Sequence, residues 1–322
     1  MSNAAQAMGA GARGRGRLAD YAPTYGALAA LVLLLVANSA LTPNFFHPNN
    51  FRNILLQIAP TMLVATGMTF VIATGGIDLS VGAVMAIASA VAATSIESGV
   101  WVAVPLALCV ATAAGAFNGA LISGFRIQPI IVTLALLISG RGVAQVINGG
   151  RLIPFSDPTF EYLGRGYVGP VPVQVLVMFV VVAAAIFVMR ATAFGRYVVA
   201  VGGNESAARL SGVKVNRTKV MVYALSGLLA GLAGLIETAR QGASDAPNVG
   251  LNIELDAIAA TVVGGTALTG GRATVVGTLI GALIMQVITT SINMKGYEYA
   301  WSLVIKAAII VVAVYIQRPK VA

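Results

Sequence analysis

Long apolar blocks fill most of the chain, and short clusters of glycine, proline and charge separate them. The blocks lie near 24–42, 54–74, 80–95, 100–124, 127–148, 171–190, 219–238, 251–264, 273–292 and 298–316. Most of them reach the roughly 18–20 apolar residues that a helix needs to cross the hydrocarbon of a bilayer. A membrane-spanning barrel would instead show alternating segments of roughly ten residues, which the sequence lacks. The pattern predicts an all-α polytopic membrane protein of about ten transmembrane helices.

Two stretches break the pattern. "GGIDLSVG" at 75–82 and "GGTALTGG" at 264–271 each close one block and precede another, and they share Gly-Gly-x-x-Leu-Ser/Thr-x-Gly. In this alignment Gly75 corresponds to Gly264, and Gly76 to Gly265. A glycine pair relieves the steric limits on the backbone and ends a helix. Asp78 or Ser80, and Thr266 or Thr269, can then cap the helix that follows. Non-helical backbone at membrane depth persists only where protein buries it or a watery cavity receives its polar groups. The block at 251–264 is also short for a full span. Broken or re-entrant elements are therefore expected near 75–80 and 251–271, and such breaks place helix ends and free amides beside a solute path.

Candidate path residues are Thr74, Gly75, Gly76, Asp78, Ser80, Asn118, Asp256, Gly264 and Gly265. Asp78 has two readings, a carboxylate capping an ordinary helix–helix turn or an acceptor facing a polar solute. Asp256 has two comparable ones. Asn118, Thr133, Arg141 and Gln145 also lie within blocks, where helix-to-helix hydrogen bonding competes with ligand contact.

With 58% hydrophobic and 10% charged residues and a mean hydropathy of +0.88, the chain has too much apolar surface for a soluble domain. Its net charge of +9 sits mainly between the blocks, so it reads as membrane orientation and not as nucleic-acid binding. With the N-terminus inside, Arg13, Arg15, Arg17, Arg126, Arg190, Arg196, Arg209, Lys214, Arg217, Lys219, Arg272, Arg318 and Lys320 fall on the inner side. Only Arg52, Arg151, Arg165, Arg240 and Lys295 fall outside, while Arg141 and Lys306 lie within spans. This bias predicts cytoplasmic N- and C-termini, with 1–23 as a cytoplasmic tail and 24–322 as the membrane domain. The first helix is expected to remain uncleaved, being longer than a signal core. A lone Cys109 and a lone His47 exclude a disulfide framework and a zinc or haem site, and His47 reads as a loop residue beside Pro48.

Two loops stand out. The outer segment 149–170, rich in glycine and proline, reads as an interfacial connector or as a docking surface for an extracytoplasmic partner. The inner segment 191–218 is the one sizeable cytoplasmic piece. No GxxxxGK[ST] motif occurs anywhere, so a transporter driven by ATP would need another polypeptide to bind it. Within this segment, "GGNESAARLSG" places Asn204 as an N-cap, Glu205 in a first turn and Gly212 at a left-handed C-terminal position. About two helical turns fit between them, too few for an isolated helix. Ala207 and Ala208, with Arg209 beside them, offer a small flat face suited to docking on another protein.

The stretches "TGMTFVIATGGIDLSVGAVMAIASAVAA" (66–93), "NGALISGFRIQPIIVTLALLISGRGVAQ" (118–145), "GGNESAARLSGV" (202–213) and "ELDAIAATVVGGTALTGGRATVVGTLIGAL" (254–283) carry a resemblance. They look like the permease subunits of bacterial ribose-type sugar ABC importers, with galactofuranose permeases the nearest branch. The resemblance covers nearly all of the chain after residue 50. It implies a multi-pass subunit of the bacterial inner membrane that transports and is not itself an enzyme. It further implies a second permease subunit, identical or different, a cytoplasmic ATPase that binds the ATP and Mg, and a periplasmic sugar-binding protein. This chain would then bind no cofactor. Gly203, Asn204, Glu205, Ala207, Ala208, Arg209 and Gly212 would form the coupling helix of the 191–218 loop, which inserts into a cleft of the ATPase. Members of this group differ in the sugar they carry, so the motifs leave the solute open. The alternative is an ion-coupled secondary transporter of a small polar solute, although the sequence lacks a series of buried carboxylates and histidines for proton coupling. No nucleophile–base pair or metal-ligand cluster supports an enzyme.

Overall fold

The computed structural model describes residues 24–317. All ten apolar blocks form helices: α1 (Thr24–Leu41), α2 (Pro48–Ala73), α3 (Val81–Ser95), α4 (Val100–Gly124), α5 (Pro129–Ile147), α7 (Val173–Ala191), α10 (Val215–Gln241), α11 (Ile253–Val263), α12 (Val275–Met294) and α13 (Tyr299–Gln317). Three shorter helices lie in the loops, α6 (Pro158–Arg165), α8 (Ala193–Gly203) and α9 (Glu205–Leu210). Among the described residues eight helices are long and apolar enough to cross a membrane. The chain is an all-α polytopic membrane protein. With 11 residues α11 is too short to cross alone. The tail expected at 1–23 lies outside the described residues.

Local sequence explains the helix ends. α2 begins ahead of its apolar block because Pro48 suits the first turn of a helix and His47 caps it, Nδ1 accepting from the Asn49 N–H at 3.3 Å. His47 is therefore a helix cap and not a plain loop residue. α10 ends at Gly242, whose φ of +70° is the left-handed stop.

The centre of the bundle is made of α2, α3, α10, α11 and α12, while α1, α4, α5, α7 and α13 turn apolar faces outward. Apolar burial gives little drive inside lipid, so helix association depends on close approach and hydrogen bonds. α4 and α10 touch backbone to backbone: a Cβ on Gly115 would stand 2.2 Å from the Tyr223 carbonyl oxygen, and one on Gly227 would stand 2.4 Å from that of Ala111. Oγ1 atoms of Thr69 on α2 and Thr278 on α12 share a buried hydrogen bond of 2.8 Å.

At one end of the bundle the 149–170 segment folds into a small cap. Ile153–Pro154 (β1) pairs antiparallel with Ala243–Ser244 (β4), and Tyr167–Val168 (β2) pairs with Val171–Pro172 (β3). α6 lies across the end of α10, so close that a Cβ on Gly164 would fall 2.3 Å from the Arg240 nitrogen. From β4 the chain runs irregularly to Asn252 and dips into the bundle, its Gly250 carbonyl oxygen 2.3 Å from where a Gly82 Cβ would sit, in the first turn of α3. This passage ahead of α11 is a further stretch of non-helical backbone within the bundle. Arg141 of α5 satisfies it, its Nη1 donating to the carbonyls of Ala246, at 3.0 Å, and Val249. The arginine thus holds a loop where a helix-to-helix bond was the bland expectation.

Candidate functional site

The break after α2 is a helix stop of defined geometry. The Gly75 N–H donates to the Ile72 carbonyl at 2.8 Å and the Gly76 N–H to that of Val71 at 3.2 Å, with Gly75 at φ +79°. α11 stops the same way. There the Gly265 N–H donates to Val262 at 2.9 Å and the Thr266 N–H to Thr261 at 3.1 Å, with Gly265 at φ +96°. The repeat is therefore structural, but its register differs by one residue from the motif alignment: Gly75 corresponds to Gly265, not to Gly264. Gly264 instead packs on α12, where a Cβ would come 2.3 Å from the Gly277 carbonyl carbon.

Beyond the stop, residues 77–80 return into the bundle, and side chains of three helices, α4, α5 and α10, satisfy them. Asp78 is 1% exposed. Oδ1 accepts from the Ser80 N–H at 3.0 Å and the Ser80 hydroxyl at 2.6 Å, and Oδ2 accepts from the Ser226 hydroxyl of α10 at 2.8 Å. Asn118 of α4 donates to Ser80 Oγ at 3.0 Å, and the Thr133 hydroxyl of α5 donates to the Ile77 carbonyl at 3.3 Å. Ser80 holds the N-cap position of α3 without a side-chain cap bond, and the Asp78 carboxylate fixes Ser80 itself through its amide and hydroxyl. Gly76 lies under Tyr223 of α10, with 2.5 Å between a notional Cβ and the phenol oxygen. Thr74 closes α2, its hydroxyl donating to Val71 at 2.8 Å. In this conformation Thr74, Gly76, Asp78, Ser80 and Asn118 face protein, and Gly75 is exposed.

Asp256 lies apart from this network. Its carboxylate accepts from Lys306 Nζ of α13, at 2.9 and 3.1 Å. The sequence reading missed Tyr223 and Ser226. Their spacing of three on α10, one aromatic with a polar tip and one hydroxyl inside an apolar span, was the available signal.

The loop between α7 and α10 is equally well defined. Asn204 caps α9, Oδ1 accepting from the Ala207 N–H at 2.9 Å, and Gly212 takes φ +83°. α9 is held by its own chain: Ala208 is buried against Val201 and Val215, and Glu205 pairs with Lys219 at 2.6 Å and Arg209 at 3.2 Å. The Lys219 hydrogen bond, aided by Arg209, holds the Glu205 carboxyl below its ordinary value against a smaller opposing effect of burial. One expectation needs correction. Ala207 and Ala208 do not form one docking face, because Ala207 is exposed and Ala208 points inward. The exposed apolar residue beside Ala207 is Leu210, 90% accessible, which the sequence reading passed over.

A family profile described as branched-chain amino acid transport system / permease component matches residues 50–314. The Ribose import permease protein RbsC of Escherichia coli (strain K12) is 44% identical over 299 residues, covering 91% of this chain and 93% of the relative. That of Bacillus subtilis (strain 168) is 43% identical and covers 92% of each. The Galactofuranose transporter permease protein YtfT of Escherichia coli (strain K12) is 39% identical over 303 residues, covering 91% and 89%. Identity to the ribose permeases thus exceeds identity to the galactofuranose permease. No solved structure matches the chain.

Proposed function

Because the chain belongs to the branched-chain amino acid transport system / permease component family, we propose that it is the membrane subunit of an ATP-driven sugar importer whose solute is an aldopentose such as ribose or a related furanose. The observation that carries the solute class is the near full-length identity of 44% to a ribose import permease. A neutral sugar asks for hydroxyl and amide partners and no counter-ion. That demand agrees with a bundle in which Asp78 is bonded to hydroxyls and Asp256 is paired with Lys306.

In this reading the exposed Ala207 and Leu210 of α9, at the end of the bundle taken as cytoplasmic, dock on a separate ATPase that binds the ATP and Mg. Gly203, Asn204, Glu205, Arg209 and Gly212 hold the geometry of that contact. The cap formed by 149–170 faces a periplasmic sugar-binding protein, and a second permease subunit completes the path. Both termini lie inside, in line with the distribution of Lys and Arg. The Asp78 network positions the break at 74–80 and does not itself bind sugar in the conformation described here. Leu210→Asp tests the docking face: the variant should remain in the membrane while ATPase co-purification falls. An unchanged amount of bound ATPase would move the docking site elsewhere.

A further inference from the structure

Three pieces of chain far apart in sequence meet at the end of α2. The Gly271 N–H donates to the Ala73 carbonyl at 2.9 Å. A Cβ on Gly202, in the last turn of α8, would lie 1.8 Å from the Ala73 oxygen and 2.5 Å from the Gly271 nitrogen. A Cβ on Gly270 would lie 2.9 Å from both the Gly202 oxygen and the Gly75 nitrogen. Gly270 and Gly271 themselves take φ of +83° and +77°, open to glycine and strained for other residues. The stop that ends α2 therefore faces Gly270 and Gly271 of the α11–α12 turn, and the end of α8 is wedged against both. One turn further along α2, Phe70 stacks on Phe194 of α8, with ring centroids 6.2 Å apart.

We propose that Gly202, Gly270 and Gly271 lock onto Ala73 as one rigid joint, through which a displacement of α9 moves the end of α2 and the α11–α12 turn together. No side chain lies between these backbones to absorb a shift, and packed contacts of this kind transmit strain. α9 follows Gly203 after the single residue Asn204, so little slack separates the joint from the exposed face of α9. Beyond the joint lies the Asp78 network, which begins three residues after Gly75. The proposal rests on the reading that a partner ATPase pushes α9, and it adds where that push goes: into both non-helical connections at once. Gly202, Gly270 and Gly271 are positioning residues, and none of them is asked to touch solute.

Two measurements on the assembled permease–ATPase complex test it. In the wild-type complex, hydrogen exchange of the peptide covering 266–274 should show the same protection with and without trapped nucleotide, because the Gly271 amide stays bonded to Ala73 throughout the cycle. Loss of that protection in either state overturns the joint. In the Gly202→Ala complex, ATP hydrolysis should persist while sugar moved per ATP falls by about tenfold or more, on the scale of a lost coupling between sites. An assembled variant with wild-type sugar moved per ATP overturns the proposal. Gly124→Ala is the control, since nothing lies within 4 Å of its Cβ. If Gly202→Ala fails to assemble, the wild-type exchange result decides alone. Failure of the importer reading would show separately, as wild-type sugar uptake that needs no ATPase.

Discussion

Lys306 of α13 donates to both carboxylate oxygens of Asp256 in α11, at 2.9 and 3.1 Å. The lysine side chain is 7% exposed and the aspartate side chain 27%. Removing one partner leaves a charge with little water to replace it, at a cost of about 3 kcal/mol. Lys306→Met should therefore lower the melting temperature of the purified protein clearly, and Asp256→Asn added to it should recover much of the loss. Additive losses in the double variant would show that the two residues do not act as a pair.

Gly75 and Gly76 resist side chains for different reasons. Gly75 sits at φ +79°, where an L-residue costs roughly 1–2 kcal/mol. Gly76 has ordinary φ and is blocked by the Tyr223 hydroxyl. Tyr223→Phe should accordingly rescue part of the stability lost in Gly76→Ala and none of that lost in Gly75→Ala. Thermal melting of the four variants checks this, and equal rescue of both would contradict the assignment.

Much of this architecture was legible in the chain. Each apolar block became a helix because a continuous apolar run without the alternation of a barrel strand satisfies its backbone in lipid only within itself. The stops at Gly75 and Gly265 were legible as glycine pairs, and the α9 caps Asn204 and Gly212 as residue types at the right spacing. What failed was whatever depends on a distant partner. Ala208 cannot be told from Ala207 until Val201 and Val215 arrive beside it. Arg141 carries no sign in its own helix that it will hold the 246–249 carbonyls, and the one-residue shift of the repeat appears only in the hydrogen bonds that end the two helices.

The two alanines of α9 should separate docking from folding. Ala207→Trp adds bulk to an exposed surface, so the protein should keep its wild-type melting temperature and lose bound ATPase. Ala208→Trp forces an indole into the Val201–Val215 contact and should cost about 1–3 kcal/mol by overpacking. Matching melting temperatures for the two variants would contradict the placement of Ala208.

The Glu205 contacts carry a pH signature. Because Lys219 and Arg209 hold this carboxyl below its ordinary value of 4.5, its contribution to anchoring α9 is fully present above that pH. It is lost as pH falls through the lowered value. Glu205→Gln should therefore speed hydrogen exchange in 204–212 relative to wild type at pH 7, and the difference should shrink as the wild type is taken well below pH 4.5. A difference that stays constant across that range would mean the charge of Glu205 is not what anchors the helix.

The central claim is that this chain moves sugar only when a separate ATPase drives it. Proteoliposomes holding the permease with its partner ATPase, supplied with the binding protein loaded with labelled ribose, test this most directly. Uptake should require ATP on the ATPase side, stop with a non-hydrolysable analogue, and be absent from vesicles that hold the permease alone. Ribose accumulation by the permease alone under a proton or sodium gradient would contradict the account.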